Sequence, residues 1–269
     1  MPLRYERDGH VATITLDRPD RGNSLDREML VHELPDAWRR AAADPQVGAV
    51  VVTGSGDRFF CTGVDLKDPE MSEVLAGNQP ALAVKITGRQ NDVWKPIITA
   101  INGLCVGGGL MFVADSDITI GSTAAAFSNP GVSIGIAAHM GAAVLSRTAN
   151  FQSILRMTLL GKHGTLDAPA AVRAGLLEEV VEPSDLLDAA CRLASHIAAN
   201  SPAAVTDALR TLWGALELPL SEARTMSEER AGRFRDDPDA LEWRLAMKEG
   251  REPVWAAYRE PTADRPSAG

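Results

Sequence analysis

Residues 95–109 read KPIITAINGLCVGGG, an apolar run that ends in three glycines. Within it, residues 97–101 carry no charged side chain, which is typical of a strand covered on both faces. The glycines at 107–109 precede an apolar segment from Leu110 that we interpret as a helix. A buried strand that passes through a glycine-rich turn into a helix indicates the α/β fold class.

The same stretch lies in a segment that is nearly free of charge. Between 96 and 145 the only formal charges are Asp115 and Asp117, whereas the chain-wide charged share of 23% would place about a dozen there. Glycines and Asn102 interrupt the segment before the ~20 apolar residues of a membrane span accumulate. We therefore expect the buried centre of a globular fold. Residues 221–253 are densely charged and predict surface helices.

The remaining pattern alternates strands and helices. Ser24 is placed to cap a helix that Pro35 would kink or break. Helical spacing predicts a helix over 81–94, and residues 66–80 predict a long loop. From about residue 140 the pattern is mostly helical. We expect further strands at 10–16, 47–53, 117–120, 125–127 and 178–181.

Composition excludes several classes of protein. The 269 residues are 45% hydrophobic, which disfavours disorder. The net charge of −9 disfavours nucleic-acid binding, because no basic surface is left to neutralise phosphates. Three widely spaced cysteines support neither a disulfide framework nor a zinc site, and we expect no metal. The first ten residues lack an apolar signal region, so we expect a cytoplasmic location.

Three glycine-rich turns have the potential to carry chemistry. They lie at 61–66, 107–109 and 131–135, and none fits a dinucleotide fingerprint or a P-loop. A triple glycine before a helix exposes backbone N–H groups at the positive end of the helix dipole. Amides from two such turns would polarise a carbonyl oxygen as an oxyanion hole. The alternative is that the glycines only allow close packing of helix and strand.

Several blocks of sequence, taken together, resemble one family. These blocks are RPDRGNSLDREM (18–29), FCTGVDL (60–66), KPIITAINGLCVGGG (95–109), ADSDI (114–118), PGVSIG (130–135), LG (160–161), AGL (174–176) and KEGREPVW (248–255). Their residues and spacing are similar to those of the crotonase superfamily, the enoyl-CoA hydratase/isomerase family. The resemblance covers nearly the whole chain.

The resemblance implies an architecture and a ligand. It implies a crotonase-like ββα spiral core over residues 1–200, and a helical C-terminal region over 201–260 that covers coenzyme A and mediates oligomerisation. Residues 261–269 would be a flexible tail. It implies a homotrimer or homohexamer that binds an acyl-CoA thioester and takes no cofactor besides the coenzyme A of its substrate. We expect neither nucleic-acid binding nor membrane insertion.

The resemblance also assigns site residues. The amides of Val64 and Gly108 would form the oxyanion hole around the thioester carbonyl. Arg21, together with Lys248 or Arg251, would contact the phosphates of coenzyme A. Further substrate-binding positions implied are Ser24, Thr62, Asp65, Leu66, Gly107, Met111, Pro130 and Gly131. Asp65 would act by shaping the oxyanion turn.

Two positions depart from the family pattern. Hydratases of this family use two glutamates, one two residues after the triple glycine and one after the proline that corresponds to Pro130. This chain has Met111 and Gly131 at these positions. Neither residue accepts or gives a proton, so the two-carboxylate mechanism cannot operate there.

Other titratable groups are candidates for the missing acid and base. His139 lies eight residues after Gly131, where some family members carry a functional aspartate. The start of a helix in an uncharged segment would favour its neutral, basic form. The alternative is a hydrogen-bonded histidine packed in the core. Asp68, Glu70 and Glu73 in the 66–80 loop could reach the site, although a solvated acidic loop is the simpler interpretation.

A competing motif lies at residues 131–135, where GVSIG fits the G-x-S-x-G nucleophile elbow of serine hydrolases. An elbow needs a strand that runs directly into it, and Asn129-Pro130 interrupts that strand. We therefore disfavour a serine hydrolase.

Two hypotheses of function follow. The first is a lyase-like acyl-CoA enzyme of fatty acid metabolism that uses an oxyanion hole with a nonstandard acid and base. Hydrolase or isomerase chemistry and weak enoyl-CoA hydratase activity stay open as alternatives. The second is a non-catalytic acyl-CoA-binding member of the family.

Overall fold

A six-stranded sheet forms the centre of the computed structural model, which describes residues 2–71, 85–137 and 140–258. Its strand order is β1-β2-β3-β5-β7-β10, and every pair except the antiparallel β1–β2 pair is parallel. A smaller sheet has the order β4-β6-β8-β9. The strands are Leu3–Asp8 (β1), Val11–Leu16 (β2), Ala49–Gly54 (β3), Phe59–Cys61 (β4), Ile97–Ile101 (β5), Leu104–Val106 (β6), Ile118–Ser122 (β7), Ala126–Ser128 (β8), Leu166–Asp167 (β9) and Glu179–Val181 (β10).

Successive strand pairs divide between the two sheets. The pairs β3–β4, β5–β6 and β7–β8 each place their first strand in the large sheet and their second in the small one. The chain therefore advances as a ββα spiral, as expected from the sequence.

The described helices surround these sheets and make up the C-terminal region. They are Leu34–Ala43 (α1), Leu110–Ala114 (α2), Met140–Thr148 (α3), Phe151–Leu160 (α4), Ala168–Ala174 (α5), Leu186–Ala198 (α6), Pro202–Ala215 (α7), Leu220–Phe234 (α8) and Pro238–Glu249 (α9). Among the residues that the structure describes, no helix has the length and apolar character needed to cross a membrane.

The central strands are buried on both faces, which explains their unbroken apolar sequence. In β3, Val50 and Val52 belong to the main core, whereas Val51 packs with Ile98 in a second cluster beneath α6. The α6 residues of that second cluster include Leu186, Ala190 and Ala194, spaced four apart on one face of the helix.

The first helical segment begins differently from the sequence prediction. Asp26, not Ser24, caps it, because the Asp26 side chain accepts a 2.9 Å hydrogen bond from the Met29 amide. Pro35 does not break the helix. A π-helical turn over Met29–Glu33 leads directly into α1. In a regular helix the ring of Pro35 would clash with the backbone carbonyl one turn earlier, and the wider π-helical turn lies at that place.

The helix predicted over 81–94 is wrong for its described part, residues 85–94, where only a 3-10 turn forms at Arg89–Asn91. Hydrogen bonds from side chains to the backbone replace the helix that the apolar spacing predicts. The Gln90 side chain accepts a hydrogen bond from the Ile86 amide, and Trp38 donates to the Ile86 carbonyl. Most of the predicted 66–80 loop lies outside the described residues.

The helices after residue 200 pack against the core through side-chain contacts. The Trp213 indole donates to Asp117 at 2.7 Å, and Asp117 also accepts from Arg89. Near the end of the described chain, the Trp255 indole donates to the Ala199 carbonyl.

Candidate functional site

Three loops meet at one edge of the small sheet. Strands β4, β6 and β8 are parallel neighbours, paired at Cys61 with Cys105 and at Val106 with Ser128. Their carboxyl ends lead into residues 62–64, 107–109 and 129–131. Because parallel strands end at the same edge of a sheet, the three loops lie side by side. The glycine-rich turns singled out by the sequence are therefore neighbours.

The Val64 and Gly108 turns are in direct contact. A methyl group on Gly63 would lie 2.9 Å from the Gly108 amide nitrogen, and one on Gly108 would lie 3.5 Å from the Val64 amide nitrogen. Gly107–Gly109 form a 3-10 turn that runs straight into α2. The backbone amides at the start of α2 thus lie beside the Val64 turn, an arrangement able to polarise a carbonyl oxygen.

The Val64 turn is fixed by backbone pairing with the segment around Leu25. The Leu25 amide donates to the Gly63 carbonyl, and the Asp65 amide donates to the Leu25 carbonyl, both at 2.8 Å. On the other side of the turn, the backbone amide and hydroxyl of Thr62 both donate to the Gly22 carbonyl at 3.0 Å. Val64 is thereby held on both flanks.

A buried ion pair supports the same turn. Arg18 donates to the Asp65 carboxylate at 2.9 Å and to the carbonyl of buried Ser24 at 2.6 Å. Burial works to raise the pKa of Asp65, but the Lys67 amide and the Arg18 guanidinium outweigh it and hold this pKa below its ordinary value. Asp65 is thus an ionised brace of the turn.

Asn23 is a second brace that the sequence reasoning did not assign. It is buried with φ +51°, and its amide donates to the carbonyls of Ser55 and Phe59. Arg18 and Asn23 both belong to the block at 18–29, which was the available signal for their roles.

The two positions that lack glutamates lie in this region. Met111 is in α2 and only 6% exposed, and Gly131 is in the 3-10 turn Pro130–Ile134. A methyl group on Gly131 would lie 2.7 Å from the Ile136 carbonyl oxygen, and the Ile136 amide donates to the Gly131 carbonyl. Position 131 therefore has no room for a side chain in this backbone geometry.

The acids that follow the Val64 turn have other partners. Asp68 accepts hydrogen bonds from the amides of Arg27, Glu70 and Met71, and the Glu70 carboxylate pairs with Arg27 at 2.6 Å. These contacts indicate a structural use of both acids. Glu73 and His139 lie outside the described residues.

The remaining predicted residues lie at or near the surface. Leu66, which follows Asp65, is 52% exposed, and Arg21 and Lys248 are exposed. The Arg251 guanidinium pairs with the carboxylates of Glu242 at 2.6 Å and Glu249 at 2.7 Å. Of the proposed phosphate contacts, Arg251 is therefore already bound to carboxylates.

The competing nucleophiles do not have suitable geometry. Ser133 lies inside the 3-10 turn rather than at a strand end, and its hydroxyl accepts from the Lys162 amide at 3.0 Å. Cys61 and Cys105 are fully buried, and burial raises the pKa of Cys61 to about 12. These cysteines serve packing.

Comparison with known proteins identifies the family. The family model described as "Enoyl-CoA hydratase/isomerase" matches residues 6–258. The chain is 36% identical to the (E)-benzylidenesuccinyl-CoA hydratase of Thauera aromatica, over 95% of this chain and 99% of the relative. It is 33% identical to the carnitinyl-CoA dehydratase of Proteus mirabilis, over 92% and 95%.

A solved structure agrees with this assignment. The crystal structure of an enoyl-CoA hydratase/isomerase from Mycobacterium paratuberculosis has a TM-score of 0.84 and 37% identity, covering 95% of this chain and 98% of that one. With its spiral core, adjoining glycine turns and a sequence match over residues 6–258, the chain belongs to the enoyl-CoA hydratase/isomerase family.

Proposed function

We propose that this protein binds an acyl-CoA thioester with its carbonyl oxygen between the amides of Val64 and Gly108, and acts on it through an enolate. The contact between the Gly63 and Gly108 turns is the observation that carries this proposal. Two backbone N–H groups aimed at one oxygen stabilise the negative charge that it gains in an enolate. Coenzyme A enters as part of the substrate, and no separate cofactor is proposed.

The reaction that we favour is the addition or removal of water. Relatives of this chain are named a hydratase and a dehydratase. In the hydration direction, a base takes a proton from water, the water oxygen bonds to carbon β of an enoyl thioester, and the double-bond electrons move onto the carbonyl oxygen as an enolate. An acid then delivers a proton to carbon α, which balances the proton that water lost. The amides of Val64 and Gly108 would hold the charged oxygen, while Asp65 and Arg18 keep the turn in place.

The acid and base would be nonstandard. Met111 and Gly131 supply no proton-transfer group, so the water-activating base must come from elsewhere. We propose His139 for this role. Arg21 would bind a phosphate of coenzyme A, and its neighbour Gly22 accepts the hydrogen bond from Thr62. Because Arg251 is already paired with two carboxylates, we favour Lys248 as the second phosphate contact.

A second function is favoured by one observation. Met111 is an apolar, nearly buried residue at a position where hydratases of this family carry a glutamate. A chain that kept the oxyanion turns and lost the carboxylates would serve as a non-catalytic acyl-CoA-binding protein, or as a weak enoyl-CoA hydratase.

The binding proposal is tested by calorimetric titration with two matched ligands. Butyryl-CoA carries the carbonyl oxygen, and S-butyl-CoA, a thioether, lacks it. We expect the thioester to bind more tightly, because only its oxygen accepts from the two amides. Equal affinities would contradict an oxyanion hole, and no binding by a panel of short and long acyl-CoAs would refute acyl-CoA binding itself.

Proton exchange separates the catalytic proposal from the non-catalytic one. In D2O, an enzyme that forms the enolate exchanges hydrogens at carbon α of a bound acyl-CoA, and mass spectrometry detects the deuterium. We expect exchange with at least one saturated acyl-CoA. Binding without exchange and without turnover of enoyl-CoA would favour the non-catalytic protein.

We further propose a cytoplasmic homo-oligomer in which residues 201–260 form the oligomerising, coenzyme-covering region. On α9, Leu241, Trp243 and Met247 are each more than half exposed, which is unusual for a helix that faces only water. The described cysteines are free thiols, which fits a reducing compartment. Light scattering at defined concentration would distinguish a trimer, a hexamer and a monomer.

A further inference from the structure

Residues 251–258, which follow α9, form a strap without helical or strand structure that runs back to the rest of the fold. The Val254 amide donates to the Glu242 carboxylate at 2.7 Å, which holds the strap against α9. The Trp255 indole donates at 3.1 Å to the carbonyl of Ala199, which directly follows α6. The strap therefore joins the last helix to the helix that covers the large sheet.

Tyr258 lies at the far end of the strap, over a fully buried lysine. Lys95 has no exposed surface, and its ammonium donates to the carbonyls of Ala41 at 2.7 Å and Asp44 at 2.6 Å, at the C-terminal end of α1. The centroid of the Tyr258 ring is 4.1 Å from Lys95 Nζ, and Tyr258 is itself only 9% exposed. A buried ammonium is costly unless dipoles and rings around it compensate its charge. The Tyr258 ring thus stabilises the ammonium and keeps water from that side of it.

The helices before the strap bury little surface of their own. The residues of α8, 220–234, are all described and none of them is buried, and within α9, residues 238–249, only Asp239 and Ala246 are buried. Asp239 is itself bound to the strap, because it accepts a hydrogen bond from the Ala256 amide at 3.0 Å. Segments that bury little apolar surface open at a lower free energy than the whole fold. We therefore expect α8, α9 and the strap to open locally while the sheets stay folded.

We propose that residues 251–258 open and close over Lys95, that Tyr258 is the latch of this strap, and that a bound acyl-CoA favours the closed state. The last part rests on the proposed function, in which Lys248 of α9 contacts a phosphate of coenzyme A. Lys248 lies three residues before Arg251, where the strap begins. A ligand that uses this contact only while α9 is docked stabilises the closed strap by mass action. Tyr258 touches no substrate and acts as a positioning residue.

The test measures how fast an N-hydroxysuccinimide ester labels the Lys95 amine, with peptide mass spectrometry as the readout. A fully buried amine reacts only from the open state, so the rate at Lys95 divided by the rate at exposed Lys85 gives the open fraction. Hydrogen exchange of the β3 amides, measured in parallel, reports opening of the whole fold. We expect the open fraction at Lys95 to exceed the open fraction at β3, because the strap opens without the sheet.

Variants at Tyr258 test the latch. Tyr258→Ala should raise the labelling rate of Lys95 by on the order of tenfold, because it removes the ring from the ammonium. Tyr258→Phe keeps a ring over Lys95 and should stay closer to the wild-type rate. Val254→Ala is the matched control, since Val254 lies in the same strap but is 76% exposed, and it should leave the rate unchanged.

A ligand arm tests the coupling to the acyl-CoA site. Butyryl-CoA at about 100 times its dissociation constant should slow the labelling of Lys95 by on the order of tenfold or more, because the open strap loses the contact on α9. The labelling of Lys85 should not change. A ligand that binds the open and the closed state equally well would leave both rates as they are.

The outcomes separate the strap from the acyl-CoA site. An open fraction at Lys95 no greater than at β3, or equal Lys95 rates in Tyr258→Ala and wild type, would overturn the latched strap. Unchanged Lys95 labelling at a butyryl-CoA concentration that calorimetry shows to be saturating would overturn the coupling. Absence of butyryl-CoA binding would overturn the proposed function and the coupling with it, whereas the Tyr258 variants would still decide on the strap.

Discussion

Arg18 and Asp65 lie 47 residues apart in sequence and are joined by a 2.9 Å hydrogen bond between guanidinium and carboxylate, with side chains only 17% and 8% exposed. Asp65 directly follows Val64 in the chain. The loop that would present one of the two oxyanion amides is thus braced by a buried charge pair rather than by backbone bonds alone.

The charge pair predicts a specific dependence of stability on pH. The folded-state pKa of Asp65 is below its ordinary value of about 3.9, so ionised Asp65 stabilises the fold above that pH, and this contribution is lost as pH falls through the folded-state pKa. Asp65→Asn should lower the free energy of unfolding by about 2 kcal/mol at pH 7. The difference from wild type should shrink as pH falls below about 4, as followed by thermal melts.

Asp36→Asn is the control for this prediction, because Asp36 pairs with Arg39 in an exposed ion pair. Its free energy of unfolding should stay within about 0.5 kcal/mol of the wild-type value at each pH. Melting curves of Asp65→Asn that run parallel to wild type down to pH 2 would contradict the role of Asp65.

Gly63→Ala should damage the thioester site beyond its cost to the backbone. Gly63 has φ +87°, and an added methyl group would press on the Gly108 amide at 2.9 Å. Gly9→Ala is the matched control, with φ +53° and open space around the new methyl. Both variants should lose about 1–2 kcal/mol of stability from the left-handed backbone. Only Gly63→Ala should lose acyl-CoA affinity in calorimetry. Equal losses of affinity in both variants would contradict a role of the Gly63 turn in thioester binding.

Met111→Glu should raise enoyl-CoA hydration, because it returns one carboxylate to the site. General acid–base groups contribute about 10²- to 10⁴-fold, so the unmodified chain should hydrate crotonyl-CoA slower than a two-glutamate hydratase by about that factor or more. Met111→Gln has the same shape and no titrating group, so it should not gain activity. Rapid hydration by the wild type in a spectrophotometric assay would show that the two-carboxylate account does not apply to this chain.

His139→Ala tests the proposed base. The variant should lose kcat strongly and keep its acyl-CoA affinity, because the oxyanion amides are untouched. The wild-type rate should rise as pH passes the histidine pKa, since only the neutral ring accepts a proton. His163→Ala, at an exposed position, serves as the control. Unchanged turnover in His139→Ala would exclude the histidine from the reaction, whereas a lowered melting temperature with normal kcat would indicate a packing role.

Strands of the spiral could be predicted from sequence where burial on both faces produces a continuous apolar run. The valines of β3 face two cores, and a short apolar run rich in β-branched residues and followed by a glycine turn indicates such a strand. Strand β1 was missed because its sequence, LRYERD, is mostly polar at the edge of the sheet. The helix expected through residue 94 failed because Gln90 and Trp38 bind the backbone at Ile86, and such distant partners leave no local signal.

The candidate site was predictable to a similar extent. The glycine turns at 63 and 108 were identified from sequence, and the parallel register of β4 and β6 explains their contact. The role of Asn23 escaped notice, because nothing in the sequence says that its side-chain amide reaches the carbonyls of Ser55 and Phe59.

The short turn that closes over Gly131 bears on how this chain can change in evolution. The Ile136 carbonyl occupies the place of a Cβ at 131, so a mutation to glutamate there meets backbone rather than a movable side chain. A single codon change would therefore damage the fold before it returned a carboxylate, and recovery would need a simultaneous change in residues 132–136. Descendants of this sequence would more readily acquire new chemistry at other positions than revert at this one.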